Sequence, residues 1–131
     1  MNSAVRYYSR SGNTRLVAEA IAKAMGVKAV AVDDSQAALT QPVDVLFIGG
    51  ALYAYGIDEH LKAYLDTLKK DQVKKAVVFS TSLVSKHAIA LIKAALNEKG
   101  IPVAEQTLYF RGKPSEKNQQ EAMRFAEAFA S

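Results

Sequence analysis

The sequence predicts a single α/β domain, residues 1–131, in which a five-stranded parallel sheet is doubly wound with helices on both faces. Three observations carry that reading. Short apolar runs alternate with longer amphipathic stretches along the whole chain. Three of the runs are almost uninterrupted, as strands covered on both faces require. No linker, repeat or low-complexity segment divides the chain, and 131 residues suffice for one packed core.

The elements follow in order. Residues 5–8 form the first strand, and Val17, Ala20, Ile21 and Ala24 recur at the three-four spacing of a helix face. Gly26 stands where a left-handed C-cap would end that helix. Residues 28–32 read as the second strand. The stretch 33–43 is weakly patterned, with room for a short helix around residues 36–39. The third strand spans 44–48, and Leu61, Tyr64, Leu65 and Leu68 mark the second helix. Residues 76–79 form the fourth strand and Ile89, Ile92 and Leu96 the third helix, closed by Gly100 and Pro102. The fifth strand, 106–110, leads to a last helix with Ala122, Phe125, Ala126 and Phe129 on one face. Alternation of this kind implies right-handed crossovers between parallel strands.

Composition excludes several chemistries. There is no cysteine, which removes disulfides, thiolate metal sites and thiol nucleophiles. The net charge of +4 is scattered, and its densest group, Lys69, Lys70, Lys74 and Lys75, sits at a helix end, where the dipole favours cations. No aromatic-basic interleaving marks nucleic-acid binding. No apolar run approaches the roughly 20 residues of a membrane helix. The first residues lack the layout of an export signal, so a cytoplasmic location is expected.

In a sheet of this type ligands bind beyond the carboxyl ends of the strands, which confines function to three loops. The first is Ser9, Arg10, Ser11, Gly12, Asn13 and Thr14, between the first strand and the first helix. One N-cap residue would serve to start a helix. Here hydroxyls, an amide and a glycine accumulate in six positions, the composition of a turn whose N–H groups cradle a phosphate. The second loop follows residue 48: Gly49, Gly50, Ala51, Leu52, Tyr53, Ala54, Tyr55 and Gly56, small residues that admit close approach and two flat rings. The third starts at the end of the fourth strand with Ser80, Thr81, Ser82 and Leu83 and continues to His87, a residue expected to be solvated.

The run Ser-Arg-Ser-Gly-Asn-Thr between strand and helix resembles the Thr/Ser-x-Thr/Ser-Gly-Asn-Thr phosphate loop of the flavodoxin family, and the five-strand pattern extends the likeness along the chain. The uninterrupted fifth strand is similar to the short-chain branch. The resemblance implies strand order 2-1-3-4-5 and noncovalent FMN, with its phosphate at residues 9–14. The flavin ring would then lie between residues 51–56 and 80–83, with Tyr53 or Tyr55 stacking and Leu52 as an apolar wall. It also implies electron transfer with redox partner proteins such as a flavin reductase or an electron acceptor. The chain departs from the family by lacking an aromatic between Thr81 and Lys86 and by being basic where carriers are typically acidic. Asp58, Glu59 and Asp66 are expected to leave the rim locally acidic.

Other readings are weaker. A receiver domain needs acidic residues where Gly49 and Ser9 stand, and neither the dinucleotide fingerprint nor a P-loop is present. His60 and His87 lack an obvious nucleophile partner. A flavin-dependent oxidoreductase acting on a quinone or porphyrinogen, and a flavin-free binding module, remain as alternatives to the carrier.

Overall fold

A computed structural model describes residues 1–130. Five parallel strands form one sheet in the order β2-β1-β3-β4-β5: β1 (Ser3–Tyr7), β2 (Ala29–Ala31), β3 (Val43–Ala51), β4 (Val73–Thr81) and β5 (Leu108–Phe110). Helices α1 (Asn13–Met25) and α4 (Glu116–Glu127) cover one face, while α2 (Glu59–Thr67) and α3 (His87–Glu98) cover the other. The order and the class agree with the sequence reading. The lone domain expected over residues 1–131 includes position 131, which lies outside the described residues.

Each face has its own core. Val17, Ile21, Phe47, Phe79 and Ala122 fill the α1/α4 side, and Phe129 meets the edge of Phe47 with ring centroids 6.0 Å apart. Leu46, Ile48, Leu61, Leu65, Ile92 and Leu96 fill the α2/α3 side. Alternate residues of β3 and β4 serve both layers, so their central stretches, residues 45–48 and 76–79, carry no polar side chain. Burial of such side chains contributes about 1.5–3 kcal/mol each.

Two expectations are corrected. Residues 36–39 form no helix. The Ala37 carbonyl instead accepts the Arg6 Nε–H at 2.7 Å and the Tyr64 hydroxyl at 2.6 Å, so long-range side chains organise this segment in turns. Gly49 and Gly50 are not loop residues, because β3 continues through Ala51. A Cβ on Gly49 would come within 2.4 Å of the Phe79 ring, and one on Gly50 within 2.5 Å of Leu61. Their glycines make room for core side chains rather than for a ligand.

Candidate functional site

The three loops meet at the carboxyl ends of β1, β3 and β4. In the first, Gly12 caps α1 at φ 93°, a left-handed conformation that costs side-chain-bearing residues energy. The Ser9 hydroxyl accepts the Gly12 N–H at 3.0 Å, and the Ser11 hydroxyl accepts the Asn13 N–H at 3.3 Å. Among the described residues, the N–H groups of Ser11, Thr14 and Arg15 have no protein acceptor. Apart from its chain neighbours and the backbone of α1, nothing lies within 4 Å of the point where a Gly12 Cβ would project. Free donors, the positive end of α1 and open space beside the backbone together fit a phosphate or another small anion.

Thr14 is buried, and its hydroxyl lies 2.8 Å from that of Thr81 at the end of β4. The pair joins the first loop to the third. Ser80 is wholly buried within β4, while the Ser82 hydroxyl accepts the Val84 N–H and the Ser82 carbonyl accepts the Tyr109 hydroxyl at 2.6 Å. Leu83 and Val84 protrude, 69% and 85% exposed, where no aromatic is available. His87 is exposed at the start of α3, as expected.

The second loop is shorter than its sequence suggested. Tyr53 and Gly56 close a tight turn through reciprocal N–H···O bonds of 2.7 and 3.0 Å, with Gly56 at φ 116°. Ala54 and Tyr55 form its exposed tip, Leu52 packs on the core below, and Tyr53 is half-buried. The two tyrosine rings lie 6.3 Å apart.

Arg10 and Asp58 form a connection that sequence reasoning missed. The Arg10 guanidinium lies 3.9 Å from the Tyr53 ring centroid, hydrogen-bonds the Tyr55 hydroxyl and donates to Asp58 Oδ2 through Nε at 3.1 Å and Nη2 at 2.6 Å. Asp58 is the buried N-cap of α2. Its Oδ1 accepts the His60 N–H at 2.7 Å and lies 2.8 Å from His60 Nδ1. The His60 ring stacks on Tyr8 with centroids 4.8 Å apart. The hydrogen bonds to Asp58 and Tyr55 push the Arg10 pKa up. Burial pushes the Asp58 carboxyl up, but the His60 N–H and Arg10 outweigh it and hold it below the ordinary carboxylate range. Burial pushes the Tyr53 phenol up, against the opposing pull of Arg10. An Asp before a helix is readable as a cap; its second partner, 48 residues away, leaves no sequence signal.

Of the acidic residues expected at the rim, Glu59 is exposed at the start of α2 with no ion-pair partner among the described residues, while the other two are engaged. Asp58 is neutralised by Arg10, and Asp66 faces Lys99 at 3.2 Å in a 570 Å³ groove between α2 and α3, on the flank of the domain. Among the described residues no cluster of three His, Asp or Glu side chains could hold a metal ion, and no helix is long and apolar enough to cross a membrane.

A parallel sheet of this order, with an anion-ready turn after its first strand and a tyrosine-bearing rim beside it, defines a doubly wound α/β domain. Residues 4–126 match the family model described as "Flavodoxin domain", and the chain belongs to the flavodoxin family. A flavodoxin from the domain Archaea superposes with a TM-score of 0.78 at 26% identity, covering 99% of this chain and 96% of that one. A short-chain flavodoxin associated with a non-canonical PDU bacterial microcompartment gives 0.81 at 18% identity, with both chains fully covered. The rubredoxin:oxygen oxidoreductase of Desulfovibrio gigas also gives 0.81, at 16% identity, with 99% of this chain matching 35% of that longer one. The last two likenesses concern the fold. Among curated protein sequences none matches significantly.

Proposed function

We propose that this chain binds FMN noncovalently and works in electron transfer. The observation that carries the reading is the first loop, where unpartnered N–H groups, a left-handed Gly12 and open space coincide at the start of α1. Ser9, Arg10, Ser11, Gly12, Asn13 and Thr14 would hold the phosphate. Ala51, Leu52, Tyr53, Ala54, Tyr55 and Gly56 would border one side of the ring, and Ser80, Thr81, Ser82 and Leu83 the other. Since the Ser80 side chain is enclosed by the sheet, this last group acts chiefly through backbone and through Leu83.

Bound FMN would supply the one- or two-electron chemistry. The chain's own residues position and shield it. Loop one anchors the phosphate, the Thr14–Thr81 hydroxyl pair keeps loops one and three in register, and Arg10 holds the tyrosine turn against loop one. No side chain is assigned as acid, base or nucleophile. Partners would be redox proteins such as a flavin reductase or an electron acceptor, and a cytoplasmic setting suits such exchange.

A second reading, a flavin-dependent oxidoreductase turning over a quinone or similar molecule, draws on the rim. Tyr55, Leu83 and Val84 are exposed apolar groups there, and the pairing of Asp58 with Arg10 reduces the acidic docking charge expected of a carrier. The test is the visible spectrum of the purified protein titrated with FMN. Micromolar or tighter binding supports the cofactor, and absence of binding defeats it. Steady quinone turnover by the isolated protein with a nicotinamide cofactor as the reductant would favour the enzyme over the carrier.

A further inference from the structure

Arg6 is a buried cation without a counter-ion. It lies in β1 on the α2/α3 face and is only 9% exposed. Its Nε–H donates to the Ala37 carbonyl at 2.7 Å and its Nη1 to the Val5 carbonyl at 3.1 Å. Among the described residues the ion pairs of the molecule involve Arg10, Arg15, His60, Lys74 and Lys99, and no carboxylate lies within 4.0 Å of Arg6. Of the carboxylates bonded to residues that border the cavity described below, Asp44 is engaged by the Asn2 N–H and Lys74, and Asp34 accepts the Gln36 N–H at 2.8 Å. A guanidinium carries five donors; here Nε and Nη1 are given to backbone carbonyls, and Nη2, which has no protein partner among the described residues, keeps contact with solvent.

The same arginine lines a cavity of about 290 Å³ at the amino-terminal end of the sheet, between the start of β1 and the segment leading into β3. Its walls bring neutral hydrogen-bonding groups, Asn2, Ser3, Gln36, Thr40 and Gln41, around that one cation. The volume is near the lower end of ligand pockets. Ala37, pinned by both Arg6 and Tyr64, holds the loop that forms the roof. A cationic floor, walls of neutral polar and apolar residues and a roof fixed at Ala37 suit an oxyanion, which the guanidinium N–H groups not given to Ala37 and Val5 would meet.

We propose that this cavity binds a small molecule bearing a carboxylate or phosphate group, with Arg6 as its charge partner and Gln36 and Gln41 as neutral contacts. The site is separate from loop one, which lies beyond the other end of β1, and the inference does not depend on FMN.

The test is a titration of the isotope-labelled protein in excess FMN, followed by amide NMR shifts. Inorganic phosphate and succinate are the probes, and chloride at equal ionic strength is the reference. Saturable millimolar shifts at Asn2, Ser3, Gln36 and Gln41 are expected, and the stronger probe identifies the preferred anion. Movement confined to residues 11–15 would report the phosphate loop instead and would overturn the proposal, as would no saturable shift with either probe. Arg6→Met should weaken binding about tenfold or more; unchanged affinity would refute the assignment. If that variant does not fold, Gln36→Glu decides, because a carboxylate inside the cavity should displace the anion with a similar loss. An unaltered titration in Gln36→Glu would also refute it.

Discussion

Gly12 and Gly26 stand at opposite ends of α1 and form a matched pair. Both have positive φ, 93° and 71°, and a Cβ on either would meet nothing within 4 Å. Gly12→Ala and Gly26→Ala therefore impose backbone strain without a clash. The left-handed penalty for an L-residue is about 1–2 kcal/mol, and the stiffer unfolded chain returns roughly 0.4–1 kcal/mol. Each variant should lose about 1 kcal/mol, a fall of roughly 4 °C in melting temperature for a domain of this size.

Their effects on FMN should diverge. Strain at Gly12 is relieved by rotating the peptide that leads into Asn13, which re-aims the donors at the start of α1. Losing one charge-assisted hydrogen bond costs about 1.5–3 kcal/mol, a factor of roughly ten to a hundred in affinity. Gly26 lies a whole helix away and should leave affinity within about twofold. Urea unfolding and fluorescence titration with FMN give both quantities. Equal losses of FMN affinity in the two variants would show that stability, not loop geometry, controls binding. No loss in Gly12→Ala would refute the phosphate site.

Three further perturbations probe the links around the rim. Asp58→Ala should cost about 1 kcal/mol through the lost cap of α2, whereas Asp58→Asn keeps a capping oxygen and gives up the ion pair with Arg10. Because the Asp58 carboxyl ionises more readily in the folded chain, its contribution is complete above the ordinary carboxyl value of about 4 and drains away as pH falls through the folded value. The gap between wild type and Asp58→Asn in urea midpoint should accordingly close in acid; a gap that persists would contradict the ion pair. Thr14→Val or Thr81→Val strands one buried hydroxyl at about 1–3 kcal/mol, and the double variant should cost less than the sum. Gly49→Ala should exceed Gly50→Ala in denaturant unfolding. The former meets the Phe79 carbonyl at 2.5 Å as well as its ring, while the latter crowds only the Leu61 side-chain tip and meets the Tyr8 carbonyl at an ordinary 3.8 Å; equal costs would mean that the strand yields at both.

The fold was legible because its signals are local. Val17, Ala20 and Ile21 declare a helix face by spacing alone, and the Gly-Asn pair at the start of α1 is readable as a turn before any contact is known. Failures fall where distant side chains override local pattern. Residues 36–39 have modest helix character, yet the Ala37 carbonyl is taken by Arg6 and Tyr64, 31 and 27 residues away. Gly49 and Gly50 look like loop glycines until Phe79 and Leu61 occupy the missing Cβ positions. Asp58 looks like surface charge until Arg10 reaches it.

The rim is built by cross-links of that same long-range kind, and this bears on how the loops work together. Thr14–Thr81 spans 67 residues, Arg10–Asp58 spans 48, and Tyr109 reaches back 27 to the Ser82 carbonyl. Arg10–Asp58 ties the end of β1 to that of β3, Tyr109–Ser82 ties β5 to the end of β4, and Thr14–Thr81 reaches from the β1 loop past β3 to β4, so the three loops form one connected frame. The Arg10 branch is the most exposed of these links, with its side chain 45% accessible, whereas the threonine pair is sealed. An exposed ion pair exchanges readily with water and salt, while a sealed hydroxyl pair has no competing partner. Loops one and three are thus rigidly coupled, and the tyrosine turn is attached through a link that solvent can compete for. Any ligand seated on loop one has a firm wall on the β4 side and an adaptable one on the Tyr53–Tyr55 side. That asymmetry places the adjustable half of the site where Arg10 already governs both tyrosines.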